Sequence, residues 1–110
     1  MKVEQKGHTI IVKDTKGDLV PFLEKLTDEI NSFKNSNLII DLSISKNILV
    51  KDILLFSDIY KLHKKNKKSF VIVTNDFDFN SNTKKISIVP SLQEAHDIIE
   101  MEEIERDLGF

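Results

Sequence analysis

The sequence predicts an α/β domain built on a mixed, mostly parallel β-sheet. Two short and nearly unbroken apolar runs, at residues 38–42 and 69–74, are typical of strands buried on both faces. Segments whose apolar residues recur at helical spacing stand before, between and after these runs. Strands that alternate with helices imply right-handed crossovers between parallel strands. The length of 110 residues is that of one ordinary domain, so we expect a single domain over residues 1–110.

The amino-terminal part is predicted to form a hairpin followed by a helix. Residues 3–5 and 8–13 have strand character and Gly7 lies between them, which favours an antiparallel hairpin at one edge of the sheet. Asp18 is a suitable helix cap, and Pro21 falls in the first turn, where its missing N–H costs little. The apolar residues of this helix recur at helical spacing and are Phe22, Leu23, Leu26, Ile30 and Phe33.

Two further helices are predicted in the rest of the chain. One spans residues 48–62, with the lysine-rich residues 64–68 as its solvated end, and a polar loop then leads to a short strand at 86–89. The last helix opens with Ser91 and Glu94 at capping-box spacing, so each side chain can satisfy a backbone N–H of the other's turn. Its apolar residues are Leu92, Ala95, Ile98, Ile99, Met101, Ile104 and Leu108. The predicted order is β-β-α-β-α-β-β-α, with about three helices.

Composition excludes several classes of protein. The chain has no cysteine, so disulfides, thiolate metal sites and cysteine nucleophiles are excluded, and a reducing compartment is expected. No stretch approaches the roughly 18 apolar residues that a membrane span needs. The amino terminus is polar and carries an acidic residue, which is not typical of a signal peptide. We therefore expect a cytoplasmic protein without a membrane partner.

Three stretches carry a resemblance to a known family. They are Leu-Ile-Ile-Asp-Leu at 38–42, Phe-Val-Ile-Val at 70–73, and Val-Pro-Ser-Leu-Gln-Glu-Ala at 89–95. With the order of the elements, they resemble STAS domains, the fold of the anti-sigma factor antagonists. This resemblance implies a non-catalytic domain that binds a protein, such as a regulatory kinase or an anti-sigma-like factor, or a second copy of itself. Signalling members carry a phosphorylated Ser or Thr in an Asp-Ser-Ser/Thr-Gly sequence at the start of the helix after the buried strand.

The matching stretch here, residues 49–52, reads Leu-Val-Lys-Asp and has neither a hydroxyl nor a glycine. The resemblance therefore transfers no phosphorylation site. Ser43 and Ser45 lie in the preceding loop, where serines commonly form turns.

The chain also resembles short bacterial proteins that are sometimes called ribonuclease Z. That nuclease requires a His-x-His-x-Asp-His metal cluster in a much larger fold. The three histidines here, His8, His63 and His96, are widely separated in sequence. Two-metal phosphodiester chemistry needs several convergent ligands, so this activity is not expected. Asp41 and Asp52 could meet at the carboxyl ends of the strands, but no set of residues indicates a catalytic site, a metal or a cofactor.

The predicted second helix is the best candidate for a partner-binding surface. Its apolar residues extend around the helix well beyond a single stripe, which is typical of a helix that is buried among neighbours or offers a face to a partner. Packing over the sheet, between the first and last helices, explains much of this pattern. The remaining interpretation is a partner or dimer contact at the start of the helix. The predicted contact residues are Ile44, Ser45, Ile48, Val50, Lys51, Asp52, Leu55 and Phe56.

Other stretches offer alternatives. A small molecule or nucleotide could bind in the loops at the carboxyl ends of the strands, although no glycine-rich phosphate loop is present. The basic residues 63–68 could bind RNA, but they lack aromatic residues, and lysines also complement a helix carboxyl terminus. Residues 76–80 begin like a calcium loop, yet Ser81 and Ser87 replace the glycine and glutamate that an EF-hand needs. The acidic last helix ends in Phe110, which could dock on its own domain or join a tail that binds a basic partner.

Overall fold

The structure, a computed structural model, describes residues 1–79 and 85–109. In this part of the chain there are five strands and four helices. In chain order they are β1 (Lys2–Lys6), β2 (Thr9–Lys13), α1 (Leu19–Phe33), β3 (Asn37–Asp41), α2 (Val50–Leu54), α3 (Ser57–Lys65), β4 (Phe70–Val73), β5 (Ser87–Val89) and α4 (Leu92–Asp107). The predicted α/β class is confirmed.

The strands lie side by side in chain order, β1-β2-β3-β4-β5, in one mixed sheet. β1 pairs with β2 antiparallel, from Lys2 opposite Lys13 to Lys6 opposite Thr9. All later neighbours are parallel. The turn of the predicted hairpin places Gly7 at φ 58°, a conformation that glycine adopts without steric cost. The five residues of β1 are exposed, as expected of an edge strand.

Alternation along the buried strands divides the core into two layers. Ile40, Ile72 and their neighbours on one face of the sheet pack against α1, α2 and α3. Ile39, Val71 and Val73 face the other way and pack against Ala95 and Ile99 of α4. Each large aliphatic side chain that is fully buried in this way contributes roughly 1.5–3 kcal/mol relative to its exposed state. The predicted burial of β3 and β4 on both faces is therefore confirmed.

The prediction of a single helix at residues 48–62 is wrong, because this stretch forms two helices, α2 and α3. At the break, Leu55 N–H donates to the carbonyl of Asp52 and Phe56 N–H donates to that of Ile53, at 3.3 and 3.0 Å. These are three-residue bonds of the 3₁₀ type. The buried residues Ile53, Phe56 and Ile59 also recur every third residue. A turn tightened towards three residues keeps all three facing the core, whereas a regular helix would rotate them away progressively.

Two of the predicted helix starts differ in detail. Asp18 occupies the cap position of α1, but its side chain makes no capping hydrogen bond. Ser91 caps α4 as predicted, with its Oγ accepting from Glu94 N–H at 3.2 Å. The reciprocal half of the predicted capping box is absent here, because the Glu94 carboxylate accepts from Ser91 Oγ at 3.1 Å instead of from a backbone N–H.

The apolar residues of α4 are not all buried. Ala95 and Ile99 contact the sheet, but Met101, Ile104 and Leu108 are exposed along the outer side of the helix. Their positions, three and four residues apart, place them on one face, opposite the buried line. The predicted docking of Phe110 lies outside the described residues.

A candidate protein-interaction surface at the carboxyl edge of the sheet

The predicted contact residues follow β3, at the edge of the sheet where the parallel strands end, here called the carboxyl edge. Hydrogen bonding of the sheet continues just past the strands. Asp14 N–H donates to the carbonyl of Asp41 at 3.0 Å, and Leu42 N–H donates to that of Val73 at 2.8 Å. The loops after β2, β3 and β4 are therefore held beside one another at this edge.

Two buried aspartates fix the first two loops. Asp14 Oδ1 accepts from the N–H groups of Lys16 and Gly17, at 3.0 and 3.3 Å. Asp41 Oδ1 accepts from Ser43 N–H at 2.9 Å. Because buried carboxylates are costly without hydrogen bonds, these contacts explain why both aspartates are tolerated inside the fold. Both therefore stabilise turns.

The third loop holds the segment that follows β3. Asp76 Oδ2 accepts from Asn47 N–H at 2.7 Å, and the carbonyl of Asp76 accepts from Ile48 N–H at 3.2 Å. Asn47 has φ 55°, which asparagine tolerates better than most residues. Phe77 is partly buried and packs against the core. The Asp76 carboxylate of the possible calcium loop is thus engaged by backbone, while Asn80 and Ser81 lie outside the described residues.

A side chain from the first turn of α2 caps the start of the helix. Asp52 Oδ2 accepts from Leu49 N–H at 2.9 Å, which satisfies a backbone donor that the helix leaves free. Asp41 and Asp52, suggested as acids that could meet at this edge, each accept a backbone N–H of their own loop or helix. Their contacts are those of structural residues.

The structure separates the eight predicted contact residues into three groups. Ile44, Lys51 and Leu55 are exposed. Val50 and Asp52 are partly buried. The remaining residues, Ser45, Ile48 and Phe56, are buried.

The buried members require a correction to the predicted surface, because no partner can reach them in this fold. Phe56 is fully buried and Ile48 is buried in the same core cluster, and Ser45 Oγ donates to Asp14 Oδ2 at 3.5 Å. Leu49 was missed, although it is 52% exposed. Leu49 precedes the first residue of α2 and has an extended backbone, and the local sequence pattern carries no signal that it is exposed.

Ile44, Leu49 and Leu55 form the exposed apolar part of what we call the β3–α2 segment, residues 43–55. Each is about half exposed, at 47, 52 and 49%. Lys46 and Lys51 are exposed in the same segment. Exposed large apolar side chains on a backbone fixed by hydrogen bonds make this segment a candidate protein-binding surface, and the two lysines add positive charge to it.

The basic residues predicted as a solvated helix end lie at the opposite edge of the sheet. Lys64 is exposed near the end of α3, with its Nζ 3.3 Å from Tyr60 Oη and 5.7 Å from the centre of the Tyr60 ring. In the described part of the chain, no helix combines the length and apolar character that crossing a bilayer requires.

No family model matches the chain, and no curated protein is significantly similar to it. The class that fold and surface define is thus an α/β protein with a five-stranded mixed sheet.

Proposed function

We propose that this chain is a STAS-like domain that regulates or links other proteins by binding them through the β3–α2 segment, without catalysis. The observation that carries the proposal is the exposure of Ile44, Leu49 and Leu55 on a backbone held by Asp41, Asp76 and their neighbours. The fixed backbone matters because a surface that is ordered before binding loses less conformational entropy when the partner arrives.

The order of the strands supports the finer assignment to a STAS-like fold. After an antiparallel edge hairpin, the connections from β2 to β3 and from β3 to β4 are helical crossovers between parallel strands, and their helices share one face of the sheet. This arrangement is compatible with the resemblance in sequence at residues 38–42 and 70–73.

Phosphorylation of the usual kind is not part of the proposal. Residues 49–52 have no hydroxyl, and the nearby Ser45 is only 7% exposed. A kinase would have to open the β3–α2 segment to reach its Oγ. We therefore propose constitutive binding, governed by the concentration of the partner.

The chemistry of the surface defines the partner class. The partner is expected to present apolar side chains to Ile44, Leu49 and Leu55. Carboxylates at the border of that apolar patch would complement the positive charges of Lys46 and Lys51. We propose a partner protein with an apolar patch bordered by acidic residues. The buried interface needs roughly 800 Å² on this chain to be stable, which exceeds three side chains, so adjoining polar surface would form the rim.

The test compares charged substitutions at three exposed apolar residues. Ile44→Asp and Leu55→Asp place a carboxylate in the proposed interface, whereas Ile104→Asp changes an isoleucine of similar exposure on α4, on the other face of the sheet. Each tagged variant, shown to be folded by circular dichroism, is used to capture proteins from a lysate of the source cells. The captured protein is identified by mass spectrometry, purified, and titrated against each variant.

The proposal expects one protein that binds wild type and Ile104→Asp alike, and that binds Ile44→Asp and Leu55→Asp at least about tenfold more weakly. Equal binding by all four proteins would overturn the assignment of the surface. Sedimentation of wild type and Ile44→Asp tests whether the partner is a second copy, because only then would the substitution dissociate a dimer.

A further inference from the structure

A basic cleft lies at the amino edge of the sheet, where the parallel strands β3, β4 and β5 begin. Its volume is about 500 Å³, within the range of small-molecule sites. The carboxyl end of α3, the first residues of β4 and β5, and the last turns of α4 form its walls. This edge is opposite the β3–α2 segment, so the cleft is separate from the surface of the proposed function.

Cations dominate the lining of the cleft. Lys64, Lys67, Lys68, Lys85 and Arg106 line it, against two carboxylates from α4. Those carboxylates belong to Glu102 and Glu105, and neither forms an ion pair with a cation among residues 1–79 and 85–109. Cations that converge in a concave site without carboxylate partners create a positive potential that attracts anions.

Arg106, the sole arginine of the chain, is fixed in place by neutral groups. Its Nη1 donates to Ser69 Oγ at 3.1 Å and its Nη2 donates to Asn37 Oδ1 at 3.4 Å. Ser69 and Asn37 are themselves buried. A guanidinium has five N–H donors, so three remain for a ligand. A guanidinium held on one side by neutral acceptors presents a full charge and a planar set of donors, the geometry that suits phosphate.

The backbone after α3 places two lysines at the cleft through a strained turn. Lys67 N–H donates to the carbonyl of Lys64, and Lys68 N–H donates to that of His63, at 3.0 and 2.8 Å. This pair of bonds is a Schellman motif, whose left-handed position is normally occupied by glycine. Here Lys67 occupies it, with φ 59°. A lysine where glycine is favoured is strained backbone at a candidate site, and it supplies a cation that glycine would not.

A shallower depression adjoins the cleft and shares Lys68 and Arg106 with it. It adds Lys6 of the hairpin but also the carboxylates of Glu103 and Asp107. The excess of positive charge therefore ends at Lys68 and Arg106 and does not continue as a track along the surface. A long polyanion needs such a track, whereas a small anion needs only the cleft.

We propose that the basic cleft binds a small phosphorylated ligand, with Arg106 and Lys68 contacting the phosphate and Lys64, Lys67 and Lys85 adding positive charge around it. The volume of the cleft exceeds that of a phosphate group, so it accommodates a phosphate ester of nucleotide size.

Binding is tested with two probes, inorganic pyrophosphate and ATP, by titration calorimetry and by chemical shifts in ¹⁵N-labelled protein at low ionic strength. Lys64→Gln/Lys68→Gln removes two cations and leaves the hydrogen bonds of Arg106 intact. Arg106→Gln removes the fixed guanidinium. Lys65→Gln is the matched control, because Lys65 belongs to the same lysine run but does not line the cleft.

The expected result is saturable binding of at least one probe, with shifts at residues 67–69 and 106. Affinity is expected to fall about tenfold or more in Lys64→Gln/Lys68→Gln and in Arg106→Gln, and to stay within about twofold in Lys65→Gln. Lys67→Gly is expected to raise the melting temperature and yet weaken binding, because it relieves the left-handed backbone while it removes a cation.

Two results would overturn the proposal. They are no saturable binding of either probe, and an equal loss of affinity in Lys65→Gln. If a short uridine oligonucleotide binds wild type while neither pyrophosphate nor ATP binds, the basic residues are assigned to RNA. None of these results bears on the β3–α2 segment, so the failure of one proposal is distinguishable from the failure of the other.

Discussion

Acidification is expected to destabilise the fold through His63, which lies in the interior between α1, α3 and β4. Its side chain is fully buried. Its Nδ1 lies 3.1 Å from the carbonyl oxygen of Ile59, and its Nε2 lies 3.2 Å from that of Phe33. Burial lowers the pKa of His63 from its ordinary value of 6.5, whereas the two carbonyls, which stabilise a protonated ring, raise it by less.

The direction of the effect follows from proton linkage. Because the pKa of His63 is lower in the folded chain than in the unfolded chain, the unfolded chain takes up this proton first as the pH falls. The contribution of neutral His63 is therefore fully present above about pH 6.5 and is lost as the pH falls from there towards the folded-state pKa. One proton can change the free energy of unfolding by at most about 1.4 kcal/mol per pH unit.

The assay is urea unfolding, followed by circular dichroism between about pH 8 and about pH 5, for wild type, His63→Gln and His96→Gln. His96 is half-buried on α4 and serves as the control. Wild type and His96→Gln are expected to lose up to about 1 kcal/mol more than His63→Gln over the first unit below pH 6.5. NMR titration of the His63 ring in wild type measures its pKa directly, should His63→Gln unfold. The reasoning is refuted if this ring titrates at or above its ordinary pKa, or if all three proteins lose stability in parallel.

Two adjacent residues and two helix caps provide further predictions, each measured by denaturant unfolding. Phe56→Ala is expected to cost about 3–5 kcal/mol, because it opens a cavity in the core, whereas Leu55→Ala beside it should cost less than about 1 kcal/mol. Equal costs would mean that the break between α2 and α3 is misplaced. Ser91→Ala is expected to cost about 1 kcal/mol, since it removes the bond to Glu94 N–H, whereas Asp18→Ala should cost a few tenths because Asp18 makes no such bond. A larger loss for Asp18→Ala would contradict this account of the caps.

The sheet was the most predictable part of the fold, because its signals are local. The apolar runs of β3 and β4 are buried on both faces, so each apolar residue in them indicates a buried strand. The hairpin follows from the strand character on both sides of Gly7. Helix α4 was predicted in extent, but not which of its apolar residues are buried. Met101 and Ile104 lie on the side of α4 that faces away from the sheet. Their burial would require another element to pack on that side.

The candidate surface was predicted less well, because burial in it depends on residues far away in sequence. Ser45 looks like a loop serine, yet it lies beside Asp14, thirty-one residues earlier. Ile48 is bound through its backbone to Asp76, twenty-eight residues later, and is drawn into the core. Neither partner is visible in the local pattern. Leu49 was overlooked for the opposite reason, since an apolar residue at a helix start is normally expected to pack.

The basic cleft is also assembled from distant residues. The lysine run indicated a solvated helix end, with RNA binding as the alternative, because lysines at that position complement the helix dipole. The run becomes part of a cleft because Arg106 of α4 lies opposite it. Arg106 is thirty-seven residues after Ser69 and donates a hydrogen bond to Ser69, which directly precedes β4. The Schellman turn at Lys67 was hidden because it lacks the glycine by which such turns are recognised.

Strand β3 connects the two proposed sites, and its dimensions determine how far they can influence each other. Asn37 at its start holds Arg106, and Asp41 at its end holds Ser43 N–H. Four residue steps along a strand span about 13 Å, more than the Debye length of about 8 Å at physiological ionic strength. Charge on a ligand in the cleft is thus largely screened at the β3–α2 segment. Any coupling has to pass through packing, and α1, α2 and α3 are the helices that join the two edges on one face. We therefore expect Ile44→Asp to leave the affinity for pyrophosphate unchanged. A change of more than about threefold, close to 0.6 kcal/mol, would mean that the break at Phe56 moves when either site is occupied.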